Sequence, residues 1–163
     1  MKNIFKTTLS KLIFLIIVIL FSSCNNNGNY INPTGSYELD GKSYVKDGDT
    51  YGRFGEIQIK KLSDDKVVIT FYVCNGAPSY NSGSFVDTLE YKNNKVIFTE
   101  PIYDPGCEIR FTFSDSGIVA VEKTENFSFG CGFGHSAYAD GFYRRISSED
   151  PVLKYPMSER LLE

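Results

Sequence analysis

His135, Ser136 and Asp140 lie close together in the sequence, and a histidine, a hydroxyl and a carboxylate could in principle perform acyl transfer. That chemistry needs a base, an orienting acid and oxyanion donors converging on one point. Gly134-His135-Ser136-Ala137-Tyr138 lacks the second glycine of a nucleophile elbow, so His135 reads as an exposed loop histidine. Cys131-x-x-x-His135 together with Cys74 and Cys107 would supply a Cys₃His zinc set, yet paired C-x-x-C knuckles are missing. Asp47-Gly48-Asp49-Thr50-Tyr51-Gly52 begins like a calcium loop. It then places Tyr51 at a ligand position and Gln58 where a bidentate glutamate belongs. Glu100, Asp104 and Glu108 gather around one loop, but a glycosidase needs two carboxylates at a set separation across a cleft. The expectation is a chain with no catalytic residues, no metal and no cofactor.

Recognition chemistry is better represented. Asn75-Gly76-Ala77-Pro78-Ser79-Tyr80-Asn81-Ser82-Gly83 and Phe127-Ser128-Phe129-Gly130-Cys131-Gly132-Phe133-Gly134-His135 both mix glycine with aromatic and small polar side chains. Tyr, Asn and Ser make adaptable contacts, and exposed aromatic rings make anchors. Asn75, Tyr80, Asn81, Phe133 and His135 are the expected binding residues. The alternative for the phenylalanines is that they cap the core.

The elements that would position these loops are strands. Ser36–Leu39 and Lys42–Val45 flank Asp40-Gly41, a hairpin signal. Lys46–Gly55 reads as a loop, and Glu56–Leu62 alternates, with Ile57 and Ile59 on one face. Lys66–Cys74 is apolar on both faces and predicts a central strand covered on two sides. Ser84–Tyr91 and Lys95–Glu100 predict a hairpin across Lys92-Asn93-Asn94. Pro101–Gly106 is a loop, Cys107–Phe113 alternates cleanly, Ile118–Lys123 returns, and Tyr138–Ile146 is the last strand. Short strands at regular intervals predict an all-β domain, a single antiparallel meander closing into a small barrel or a two-sheet sandwich. Gly35-Ser36-Tyr37 and Gly141-Phe142-Tyr143 share a pattern, and pairing between them would close the sheet. The tail has room for one helical turn after Pro156.

The start of the chain has a different character. Lys2, Lys6 and Lys11 precede the ten apolar residues Leu12–Phe21, then Ser22-Ser23 and Cys24. Ten apolar residues are too short for a bilayer span, which takes about 20, and suit a cleaved secretory signal. Phe21-Ser22-Ser23-Cys24 resembles the bacterial lipobox, with Phe21 where Leu is commoner. The resemblance implies cleavage before Cys24 and acylation of that cysteine. The expected organisation is a signal peptide over 1–23, a lipidated flexible tether over 24–34, a β domain over 35–148 and a tail over 149–163. Losing Lys2, Lys6 and Lys11 from 17 bases leaves 14 against 20 acids, a net charge of −6. So acidic a domain is a poor match for nucleic acid or anionic lipid headgroups, and the membrane link is expected through acyl chains. Cys74, Cys107 and Cys131 remain after Cys24, and an envelope compartment permits one internal bridge. Cys107–Cys131 is favoured because Cys107 opens a strand and Cys131 lies in the loop beyond the returning strand. Cys74 ends an apolar strand and is expected as a buried free thiol.

Cys107-x-Ile-x-Phe-x-Phe113, Val119-x-Val121, Cys131-Gly-Phe-Gly134 and Ala139-Asp-Gly-x-Tyr-Arg-Arg145 resemble a small secreted bacterial β domain. Similar segments occur in uncharacterised envelope proteins, some carrying a lysozyme-inhibitor-like module. The resemblance implies the same Cys107–Cys131 pairing and a compact antiparallel fold. The Lys/Asn-rich start and the Asn-rich tether are similar to lipoproteins of the Bacteroidota, and Asp87-Thr88-Leu89 is similar to their O-glycosylation acceptor. The expected protein is an outer-membrane lipoprotein on the periplasmic face, anchored through Cys24. It would bind a protein partner through its loops and be a candidate inhibitor of a lysozyme-like wall-degrading enzyme. The alternative is a lipocalin-like barrel holding a small apolar ligand or a glycan.

Overall fold

The computed structural model describes residues 29–125, 129–158 and 160–162. The expected signal peptide, Cys24 and Phe127 lie outside the described residues. The strands are β1 (Gly35–Leu39), β2 (Tyr44–Lys46), β3 (Asp49–Lys61), β4 (Lys66–Gly76), β5 (Ser82–Glu90), β6 (Lys95–Glu100), β7 (Asp104–Ser114), β8 (Gly117–Lys123) and β9 (Gly141–Ser147). They form one antiparallel sheet in the order β5-β4-β3-β1-β9-β8-β7-β6, with β2 added beside β3. The sheet curls into an almost closed barrel, as the strand pattern predicts.

β1 does pair with β9, placing Tyr37 against Arg145 and Leu39 against Tyr143. That pairing sits in the middle of the sheet, so it does not remove the edges. The edges are β5 and β6, which meet without a ladder. Their expected hairpin is reduced to a single bridge, Lys92–Lys95, around Asn93 and Asn94, both at positive φ. Across this seam Phe85 stacks on Phe98, with ring centroids 3.8 Å apart, so side chains join the walls where backbone does not.

The Gly-x-Tyr repeat has a structural cause. Tyr37 and Tyr143 are both fully buried, and each phenol donates to the carbonyl four residues upstream: Pro33 at 2.7 Å and Ala139 at 3.0 Å. Gly35 and Gly141 precede them at φ 148° and 152°, and a Cβ on Gly35 would meet the Ser147 carbonyl oxygen at 2.2 Å. Only glycine satisfies both demands.

Several expectations change. Asp40-Gly41 is not a hairpin turn, because β1 has both edges occupied, by β3 and β9. The hairpin is at the second Asp-Gly, Asp47-Gly48, where both residues have positive φ, the two-residue geometry that twists with its strands. The expected loop 46–55 is therefore mostly the first half of β3. β4 is buried throughout on its inner face, at Val67, Ile69, Phe71 and Val73. Its outer face is covered at Thr70, Cys74 and Gly76, while Val68 and Tyr72 stay half exposed. Finally, residues 29–34 are no loose tether. Asn94 donates to Asn29 O and accepts from Ile31 N, Tyr91 donates to Ile31 O, Arg145 donates to Asn32 O, and Ile31, Pro33 and Thr34 are buried. The tail makes a turn at Pro156 and Met157 and a bridge between Lys154 and Leu161 rather than a helical turn.

Rings fill the barrel interior. Phe71 lies 5.8 Å from Phe111, 5.8 Å from Phe133 and 5.9 Å from Tyr143. Ile57, Ile59, Ile69, Ile109 and Ile118 are fully buried around them. Burial at roughly 25 cal/mol per Å² of apolar surface makes this cluster the main source of stability.

Candidate binding surface at the loop end

Antiparallel register sorts the connections onto two ends. Loops 40–48, 77–81, 101–103 and 124–140 share one end, called here the loop end. The short turns 62–65, 91–94 and 115–116 share the other with residues 29–34, the turn end. β5, nine residues long, runs about 30 Å along the strand, which a barrel tilt of about 35–45° projects to about 23 Å between the two ends.

The two loops singled out by composition form one platform. Asn75 Nδ2 donates to Ser136 O at 2.9 Å, Asn81 Nδ2 to His135 O at 2.8 Å, and Gly134 N to Ser82 O at 2.8 Å. Asn75 and Asn81 are thus the struts that hold one loop to the other. Tyr80, at φ 50°, turns its phenol to Asp49, donating at 2.7 Å, and so ties the platform to the β2–β3 hairpin. Its ring remains 42% exposed.

Phe133 takes the core-capping role rather than that of an exposed anchor. It is 3% exposed, stacks on Phe71, and lies flat on Gly83, where a Cβ would meet the ring at 2.2 Å. Gly83 is glycine because the ring occupies the space of a side chain. Next to it, Cys107 and Cys131 form a disulfide across 24 residues, pinning a 3-10 turn (Gly130–Gly132) to the barrel wall. Cys74 is free and 1% exposed. Because Cys107 and Cys131 are bonded to each other, neither sulfur is a thiolate for zinc.

A polar layer that sequence reading missed sits beneath the platform. Glu122 follows Ile118 and Ala120 on the inward parity of β8, and Arg53 continues the inward parity of Ile59 and Ile57 on β3. Arg53 Nη2 donates to Tyr138 O at 2.7 Å and Asp140 O at 2.9 Å, and its guanidinium lies 3.9 Å from the Tyr138 ring centroid. Glu122 Oε2 accepts from Ala139 N at 2.7 Å, and Asp140 Oδ1 accepts from Glu122 N at 3.1 Å. Burial pushes the Glu122 carboxyl above its ordinary range, with Asp140 and Asp104 adding to the effect. Asp104 is held the other way, below the usual carboxylate range, by hydrogen bonds from Thr124 Oγ1 and Cys131 N. These groups fasten residues 130–140 as a lid on the barrel. The readable signal was a polar residue on an otherwise apolar inward parity.

Glu122, Thr124, Ser136, Tyr138 and Asp140 also line an open cleft of about 450 Å³. Of His135, Ser136 and Asp140, which in the sequence make an imaginable hydrolase site, Ser136 and Asp140 line this cleft and His135 does not. The Asp140 carboxylate is engaged by the Glu122 amide, and the exposed His135 ring faces Phe129 edge-on at 6.4 Å. Around the platform the exposed rings are Tyr80, Tyr138 (41%), Phe129 (58%) and Tyr103 (75%), with Ile102 beside Tyr103. Tyr103 packs alongside Gly132, so the β6–β7 turn joins the same surface. Among the expected binding residues, Tyr80 and His135 present side chains outward, whereas Asn75, Asn81 and Phe133 build the surface from within.

Comparison with protein-family models, with curated proteins and with solved structures finds no match for this chain.

Proposed function

We propose that this protein is a non-catalytic lipoprotein of the bacterial envelope, anchored through Cys24, that binds a protein partner with its loop end. One observation carries the reading: two loops rich in aromatic and small polar residues are stitched into a single rigid platform above a filled core. A preorganised surface loses little freedom on binding, and exposed aromatics supply anchors. The partner class that best suits an acidic domain of net charge −6 is a basic protein, and a lysozyme-like wall-degrading enzyme is the leading candidate. The ring-filled interior favours this over the ligand-holding barrel, which needs an open lumen. The test measures lysozyme inhibition and hydrolysis of ester, peptide and glycan substrates in parallel. Saturable inhibition that persists in His135→Ala is expected. Turnover that vanishes in His135→Ala would replace binding by catalysis.

A further inference from the structure

We infer that the turn end is a lipid-contacting surface, so that the domain stands upright on the bilayer with its loop end pointing away. The inference rests on the proposed anchor at Cys24. Asn29 is the first described residue, and it is already fixed, because Asn94 donates to its carbonyl at 2.8 Å. Only residues 25–28 separate Asn29 from Cys24. Five residue steps span at most about 18 Å when fully extended, less than the barrel height of about 23 Å. An acylated Cys24 therefore holds the 91–94 turn, which carries Asn94, near the headgroups.

The side chains around that exit suit the location. Lys92 and Lys95 are exposed on either side of the turn and fit headgroup phosphates. Tyr30 is 52% exposed, and the Lys61 ammonium lies 5.2 Å from its ring, a pairing of aromatic body and cation common at membrane interfaces. Leu62, 56% exposed, follows Lys61 in the neighbouring turn. The same end also carries exposed Asp64, Asp65 and Asp115, with Lys61 paired to Asp64 at 2.8 Å and Asp65 O accepting from Tyr91 N, so the contact rests on the acyl anchor, Tyr30 and Leu62 rather than on net charge.

The chain contains no tryptophan, so single reporters are possible. Leu62→Trp and Tyr103→Trp would be made in the full-length lipidated protein and placed in vesicles containing phospholipid with brominated acyl chains. A ring seated at the headgroup–acyl boundary, about 5–10 Å deep, is expected to lose roughly half of its emission or more, while the Tyr103→Trp signal stays unquenched. Mass spectrometry of the same sample reads acylation at Cys24. Unacylated Cys24 would remove the anchor on which the inference rests. Acylated Cys24 with equal quenching of both reporters, or stronger quenching of Tyr103→Trp, would overturn the orientation.

Discussion

Replacing Phe133 by alanine separates a structural role from a contact role. The ring is 3% exposed, sandwiched between Phe71 and the bare backbone of Gly83. A buried Phe→Ala change costs about 3–5 kcal/mol, the larger values arising where the site cannot collapse. Collapse is opposed here from both sides. Cys131 is bonded to Cys107, and Gly134 is hydrogen-bonded to Ser82, so the backbone flanking residue 133 cannot move inward. The expected loss is therefore about 4 kcal/mol, which for a domain of this size lowers Tm by roughly 10–15 °C. Urea titration and thermal melting, with the disulfide intact, measure it. A loss below about 1 kcal/mol would show that the ring does not fill the core, and the platform would then lack its foundation. Gly83→Ala provides the converse test. A Cβ there meets the ring at 2.2 Å, so the variant should be destabilised even though it adds apolar volume.

Non-reducing peptide mapping should find Cys107 joined to Cys131 and Cys74 reduced; removing the bridge with paired alanines should cost about 3.5 kcal/mol from loop closure over 24 residues. Burial raises the Glu122 carboxyl, so its contribution is fully present below the ordinary value of 4.5 and is lost as pH rises through the folded-state value. Glu122→Gln should accordingly gain stability relative to the parent at neutral pH and match it near pH 4, read from urea midpoints across that range; a variant weaker at neutral pH would refute the assignment. Asp104→Asn should behave oppositely, losing stability at neutral pH, because its carboxylate is the form that Thr124 and Cys131 stabilise. Tyr103→Ala should weaken partner capture by about 2 kcal/mol, near thirtyfold, with little change in urea midpoint.

Strand periodicity made the barrel readable. Cys107, Ile109, Phe111 and Phe113 alternate because every second side chain on β7 enters the core, and the same alternation places Ile57 and Ile59 on β3. Pairing partners were less readable. Two Asp-Gly pairs carry the same local turn signal, and what distinguishes them is whether an edge is free beside the preceding strand, a property of the whole sheet. The β5–β6 seam likewise depends on barrel closure and not on the Lys92–Lys95 turn, which forms as expected. At the site, composition identified both loops but not their joining. Asn75 and Asn81 look like adaptable contact residues because a side-chain amide serves a partner or its own backbone equally well. Only spatial neighbours decide which. Residues 29–34 read as tether by composition, yet their carbonyls and amides are claimed by Tyr91 and Asn94 from a distant turn and by Arg145 from β9.

The partner is proposed to meet the loop end. Site-specific photocrosslinking in living cells addresses it directly, with a benzoylphenylalanine at Tyr103 or Phe129 on the platform, and at Val119 on the outer wall for contrast. A discrete protein adduct is expected from Tyr103 and Phe129 and none from Val119. Adducts from Val119 alone would place the contact on the barrel wall and contradict the account.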